Sequence, residues 1–290
     1  TLPEPDLHWS EHYPRYGFAV AKKLLDDAFI ADALREVRKL AGNDLPFDQW
    51  TVENTKHRYG DSSSNAVLAA VYDQPGIRAM IDTMFGSSDA WDGARHFQLF
   101  ISPYDTQRPA DAPRKPFGGH IDFADNKPFP VFGNGFVFQA SLIDAEPNSG
   151  NIHIWPGTHK QVQAHAMADA NWRYPKDIGD IDLPEPYEFV AEAGDVLIFS
   201  HLVLHSASPS CAAHRTPRIG LHCQANQHDW LSEIDPDAPE GLSPWAQSLA
   251  QNGRYVARCD EKAMMAAVYS DARLERLRKD RAASIDRPYR

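Results

Sequence analysis

The strongest constraint on this chain is a change of hydrophobic period just after Gly93. Downstream, His96–Ser102, Gly135–Asp144, Asn151–Trp155, Asp195–Ser200 and Arg218–Gln224 are short and rich in β-branched and aromatic residues. They are separated by Gly, Pro and Asn. Such segments read as strands, and strands that succeed one another without intervening helices pair antiparallel. The expected fold is therefore mainly β with flanking helices, built on a two-sheet barrel of jelly-roll type, the double-stranded β-helix.

Upstream the period is helical. Phe29, Ile30, Ala33, Leu34, Val37 and Leu40 recur at helical spacing from Asp27 to Leu40, with Gly42 as a stop. Pro75 opens a second helix, Ile77, Met80, Ile81 and Met84 share one face, and Gly86 ends it. Both read as cover for the sheet, their Leu and Met stripes as core. Residues 1–16, rich in proline and aromatics, are expected to lie as an extended arm. Residues 43–66 read as loop, with a short extended piece around Trp50. Residues 103–117, 156–186 and 226–248 are long loops containing proline, and loops of that length often act as lids. The stretch from Glu261 to about Arg281 reads as a charged helix. We expect one domain over 1–290, with a helical cover at about 1–94, a barrel at about 95–224, and a C-terminal lid and helix at about 225–290.

The formal net charge of −11 argues against a general nucleic-acid or anionic-membrane surface. It says little about a small ligand, because a pocket can be basic inside an acidic protein. Cys211, Cys223 and Cys259 form no CxxC pair and leave one over from any pairing, which points to a reducing, cytoplasmic setting. No apolar run approaches the 18 residues of a membrane span, and TLPEPDLHWSEHYP does not read as a signal peptide. The expected partner is a small molecule, with no nucleic acid and no membrane; oligomeric state is not legible.

One stretch bears chemistry. In GGHIDFAD, residues 118–125, His120 and Asp122 stand two apart, and on an extended segment i and i+2 point to one side. An imidazole and a carboxylate there need one more distant histidine to form the 2-His-1-carboxylate facial triad, which leaves metal positions open. A lone HxD is weak. The segment from Glu192 to Gln224 offers His201 and His205, and His214 and His222 lie further on. His201 and His205 are four residues apart, so strand parity does not separate them.

Three pieces together resemble the phytanoyl-CoA dioxygenase-like family of Fe(II)/2-oxoglutarate oxygenases. They are HID at 120–122, SGNIHIWPGTHK at 149–160, and GDVLIFSHLVLHSAS at 194–208 followed by Arg218. The likeness spans roughly residues 95–224 in the family's order. It implies a cupin-like jelly roll, with Fe(II), 2-oxoglutarate and O2 as cofactor and co-substrates. By that likeness His120, Asp122 and His205 match the metal ligands, since the family sets its distal histidine just before a small-residue turn; His201 is the rival. Arg218 matches the arginine that grips the distal carboxylate of 2-oxoglutarate. Its spacing of 13 from His205 is longer than the family's usual one, which Arg215 fits better. The strand RIGLHC aligns on Arg218, whereas Pro217 would interrupt a strand begun at Arg215. A planar guanidinium forks onto a carboxylate through two parallel hydrogen bonds.

The family's parity turns His96, Gln98, Phe100 and Ser102 inward. Gln98 is the expected polar contact to 2-oxoglutarate, and Ser102 stands where many relatives carry Lys. Gln139 falls where relatives often carry a Trp facing the cofactor. Where the family places a Ser two residues after the distal histidine this chain has Ala207, with Ser206 displaced by one. Trp155 and His153 share a face and read as wall or core, Trp155 being a possible pocket residue. Arg114, Lys115 and Lys127 flank the HxD and could meet an anionic substrate. Halogenating relatives replace the carboxylate by Ala or Gly, so Asp122 implies hydroxylation or a related oxidation of a small metabolite, with release of succinate and CO2. A cupin-like metalloenzyme that uses no 2-oxoglutarate would need the triad without Arg218. A silent binding protein on the same fold would more often have lost a ligand.

Overall fold

The computed structural model describes residues 2–56, 59–61, 64–107, 119–122, 135–168, 181–211, 215–227 and 242–250. The expected helix over Glu261–Arg281, most of the lids at 103–117 and 226–248, and Arg114, Lys115, Lys127, His214 and Cys259 lie outside these residues.

The N-terminal third is helical cover. Helix α1 (Trp9–Tyr16) replaces the expected extended arm over its second half. Trp9, His12, Tyr13 and Tyr16 follow the i, i+3, i+4, i+7 spacing of one helix face, and His12 and Tyr13 are buried. Pro14 costs this short helix a single backbone bond. Gly17, at φ 79°, then closes it through its N–H to the Tyr13 carbonyl (2.8 Å). Helix α2 (Asp27–Ala41) begins where the Asp26 carboxylate accepts the Phe29 N–H and ends on left-handed Gly42. It buries Phe29, Ile30, Ala33, Val37 and Ala41, while Leu40 turns outward. Four-residue α3 (Ala66–Ala69) leads through a short 3-10 turn into α4 (Pro75–Phe85), which has Pro at its first position and Gly86 as its cap. In the loop before α3, a 3-10 turn at Phe47–Gln49 precedes Trp50, which is fully buried.

The barrel follows. A six-stranded antiparallel sheet runs β1–β7–β4–β9–β3–β2. Its strands are β1 (Phe18–Ala21), β2 (Tyr59–Asp61), β3 (His96–Ser102), β4 (Gly135–Ser141), β7 (Val196–Phe199) and β9 (Arg218–Asn226). A smaller antiparallel sheet, β6–β5–β8, is made of β5 (Ile152–Ile154), β6 (Tyr187–Glu188) and β8 (His205–Ala207). The architecture is a jelly roll with flanking helices, as the strand periodicity implies. The five expected strands all form, β3 with the expected ends. Strands β1, β2, β6 and β8 are additions. Two helices occupy stretches expected as loop: α5 (Thr158–Ala168), and α6 (Pro244–Ala250) at the end of 226–248.

The period of two splits every long strand into two inventories. Phe97, Leu99 and Ile101 of β3, Phe136 and Phe138 of β4, Val196 and Ile198 of β7, and Ile219, Leu221 and Cys223 of β9 join Ile77, Met80 and Ile81 of α4 in one core. The opposite face looks into the barrel. At one end that lumen is dry, filled by Phe18, Val137, Leu197 and Phe199 against Ile152 and Ile154 of the small sheet. Toward β9 and β3 it turns polar. Cross-strand register sets Ser102 opposite Arg218, and Gln98 and Gln139 on either side of His222. Cys211 and Cys223 are buried free thiols.

Candidate functional site

The HxD stretch is tied to the small sheet by its backbone. His120 and His205 exchange both N–H···O bonds (2.9 and 3.0 Å), and the Asp122 N–H reaches the His201 carbonyl (3.0 Å). The turn that delivers His205 is held from the PGTH piece. The Thr158 hydroxyl donates to the Trp155 carbonyl (2.8 Å) and accepts the Leu204 N–H (2.9 Å). The Trp155 N–H reaches the Leu204 carbonyl (3.0 Å). Trp155 itself packs as wall against the backbone of Gly119, where a Cβ would lie a tight 3.0 Å from its ring. His153 is buried on β5, its Nδ1 on the Asn151 carbonyl.

Three side chains converge. One ligand atom each of His120, Asp122 and His205 lies within 4.8 Å of the others. His205 is buried, and its Nδ1 sits 3.1 Å from the Val203 carbonyl. A carbonyl only accepts, so Nδ1 holds the proton and Nε2 keeps its lone pair. That Nε2 is 3.7 Å from Asp122 Oδ1. His201, the rival histidine, is buried on the carboxylate's other side, with Nδ1 3.8 Å from Asp122 Oδ2. The two histidines thus flank one carboxylate, and the ring beside His120 is that of His205, at 4.2 Å between centroids.

The electrostatics keep the set ready for a cation. Burial would raise the Asp122 carboxyl, but the imidazoles of His205, His201 and His222 outweigh it and hold it well below the usual carboxylate range. His120 is the most open of the three. Its enclosed part and the neighbouring His205 ring still lower it to about 4, so it is neutral at pH 7. Two imidazoles with a carboxylate form a donor set for a divalent ion such as ferrous iron. Asp122 Oδ2 is buried with no hydrogen-bond partner among the described residues. These residues fit such an ion.

Arg218 lies on the lumen face of β9, 6% exposed. Its NH2 donates to the Ser102 hydroxyl (3.1 Å), while Nε and NH1 are buried without partners among the described residues. Burial lowers its pKa to about 10, which leaves it charged at neutral pH. A buried cation with unspent donors is costly unless an anion meets it, so this guanidinium fits a carboxylate. Arg215 is exposed, with φ 59°, its guanidinium over the Tyr104 ring at 5.2 Å. Gln98 stands on the lumen face at the exposed end of β3, four residues from Ser102. Gln139 is buried on β4 opposite His222, two lumen-face positions along from Arg218.

His222 lies in the sequence as one more candidate histidine beyond His201 and His205. It faces the lumen, with burial lowering it to about 4, and it feels both the Asp122 carboxylate and the Arg218 guanidinium. Phe100 and Phe199 flank its ring at 5.4 and 5.8 Å. The signal was parity: His222 is four residues from Arg218 on the same strand, hence on the same face.

No family model matches the chain, and no curated protein matches it in sequence. Solved structures do share its fold. The epimerase SnoN, in complex with Fe3+, alpha ketoglutarate and nogalamycin RO, is 19% identical with a TM-score of 0.51, over 75% of this chain and 82% of that one. EctD from S. alaskensis, with 2-oxoglutarate and 5-hydroxyectoine, is 14% identical with a TM-score of 0.51, over 75% and 74%. The non-heme monooxygenase ThoJ, in its Ni complex, is 14% identical with a TM-score of 0.50, over 76% and 77%.

Proposed function

We propose that this chain is an Fe(II)/2-oxoglutarate-dependent oxygenase that hydroxylates a small metabolite. The supporting observation is a combination within one barrel. A His-Asp-His set converges beside the lumen, and a buried arginine with unspent donors faces the same space. The shared fold with proteins that hold iron and 2-oxoglutarate agrees with this reading. The motifs at 120–122, 149–160 and 194–208 favour the phytanoyl-CoA dioxygenase-like family within that class.

His120, Asp122 and His205 would hold the ferrous ion, and Arg218 would fork onto the far carboxylate of 2-oxoglutarate. When bound, that pair supplies oxygen activation and oxidation of a carbon–hydrogen bond, with succinate and CO2 released. The chain's own work is positional. The Val203 carbonyl fixes the His205 tautomer, and the buried His201 ring walls off the second oxygen of Asp122, 3.8 Å away. Phe100, Phe199 and the dry end of the lumen restrict water. No helix among the described residues is long and apolar enough to cross a membrane. The buried thiols suit the reducing, cytoplasmic setting we infer.

Ferrous titration in the absence of oxygen, followed by succinate release measured against O2 uptake, tests the assignment. One ion per chain is expected, lost in His120→Ala, Asp122→Ala and His205→Ala but retained in His201→Ala. Iron retained by His205→Ala and lost by His201→Ala would exchange the two histidines. Succinate formation absent from iron-loaded protein across a broad metabolite screen, together with no binding of 2-oxoglutarate, would overturn the class.

A further inference from the structure

Gln139 carries a buried amide on the lumen side of β4. The residue is 2% exposed, and neither Nε2 nor Oε1 has a partner among the described residues. Its position is specific. A Cβ on Gly220 would lie 2.1 Å from Gln139 Nε2, so the amide occupies the space where any side chain at 220 would stand. Gly220 shares the lumen face of β9 with Arg218, one alternation away, and lies opposite Phe100 of β3. The amide therefore lies over the floor between Arg218 and His222. Two residues of strand separate Arg218 from Gly220, about 7 Å, and a five-carbon dicarboxylate is long enough to cover it.

An orphaned buried amide is unfavourable, and an isosteric apolar residue would avoid that cost. From this geometry we infer that Gln139 is a second binding residue for the keto acid gripped by Arg218. Its Nε2–H donates to a carboxylate oxygen of that ligand, and Gly220 is bare to leave the amide room. This inference rests on the proposed 2-oxoglutarate reading. It commits to the co-substrate, because the amide lies over Gly220, the lumen-face neighbour of Arg218 on β9.

Two readouts test it without turnover. Binding of 2-oxoglutarate in the presence of manganese(II), with no substrate, is measured for the intact chain, Gln139→Leu, Gln139→Glu and Arg218→Ala. Thermal unfolding of each is followed without ligand. Gln139→Leu should raise the ligand-free Tm by a few degrees, since it removes an unsatisfied amide. It should also weaken 2-oxoglutarate binding by about tenfold or more, the loss of one hydrogen bond to a charged group. Gln139→Glu, of the same shape, should bind still more weakly, because its carboxylate faces the ligand's own. Manganese affinity should be unchanged in both. A lowered Tm with undiminished 2-oxoglutarate binding in Gln139→Leu makes the amide structural and overturns the inference. If Gln139→Leu does not fold, undiminished binding by Gln139→Glu overturns it equally. Failure of the intact chain to bind 2-oxoglutarate sinks the underlying reading. Binding lost in Arg218→Ala but unaltered in both Gln139 variants sinks this inference alone.

Discussion

Arg218 shows how a single side chain can report on what a protein is for. Burying a guanidinium is expensive, and the Ser102 hydroxyl answers only one of its nitrogens. Arg218→Ala should weaken 2-oxoglutarate binding by at least about tenfold while leaving metal affinity intact. Arg215→Ala, which removes only an exposed stack on Tyr104, should bind like the intact chain. Parallel titrations of 2-oxoglutarate against metal-loaded variants check this, and loss confined to the Arg215 variant would move the anchor by three residues. The same scale explains why the third ligand was ambiguous in the sequence. His201 and His205 have equal parity, and both do reach the carboxylate, one at each oxygen. The backbone exchange with His120 and the 4.2 Å ring contact with it single out His205, and both belong to the folded turn.

At the level of elements, the turn before β7 shows what a motif residue can do without touching chemistry. Asp195 is fully buried and accepts from Lys22 Nζ (2.7 Å), the Lys23 N–H (3.2 Å) and the Glu192 N–H (2.9 Å), tying the end of β1 to this turn. Lys22 is largely exposed, so the ion pair adds little and the two backbone donors dominate. Asp195→Ala should cost about 2–3 kcal/mol in urea denaturation, and Asp195→Asn, which keeps an acceptor, about half that. A loss below about 0.5 kcal/mol would show that the turn does not depend on the carboxylate. Elements with a clear apolar period were legible in the sequence: α2, α4 and the long strands β3, β4 and β9. Strands β6 and β8 have two and three residues, too few to show alternation, and β1 reads FAVA with none. The first two turns of helix α5 bury Thr158, His159, Val162 and Gln163, a mostly polar set that shows no apolar period in the sequence. In α1, Pro14 obscured an aromatic helical face that was present.

Over the whole molecule, His159 couples packing to pH. It docks α5 against the α1 turn, its Nε2–H toward the Pro14 carbonyl (3.4 Å) and its ring filling the space a Cβ on Gly17 would need. Burial, then the Lys160 charge, lowers it from 6.5 to about 3. The unfolded chain therefore binds this proton first. Stability from His159 is complete above about pH 6.5 and declines as pH falls toward 3, on the order of 3 kcal/mol by pH 4. Denaturation of the intact chain and His159→Phe between pH 7 and 4 should give a shallower dependence in the variant; parallel curves would refute this. The alternating faces of β9 have a further consequence, one that bears on divergence. Arg218 and His222 can be exchanged without touching Ile219, Leu221 and Cys223, which serve only the helical side, while Gly220 between them stays bare under Gln139 and the Ala140 carbonyl. An insertion or deletion of one residue would instead swap both sets at once, sending the guanidinium into the helices and isoleucine into the lumen. Such a strand can drift by substitution at its two outer lumen positions yet is closed to changes of length, so chains with few residues in common can share one barrel and fill it with different ligands.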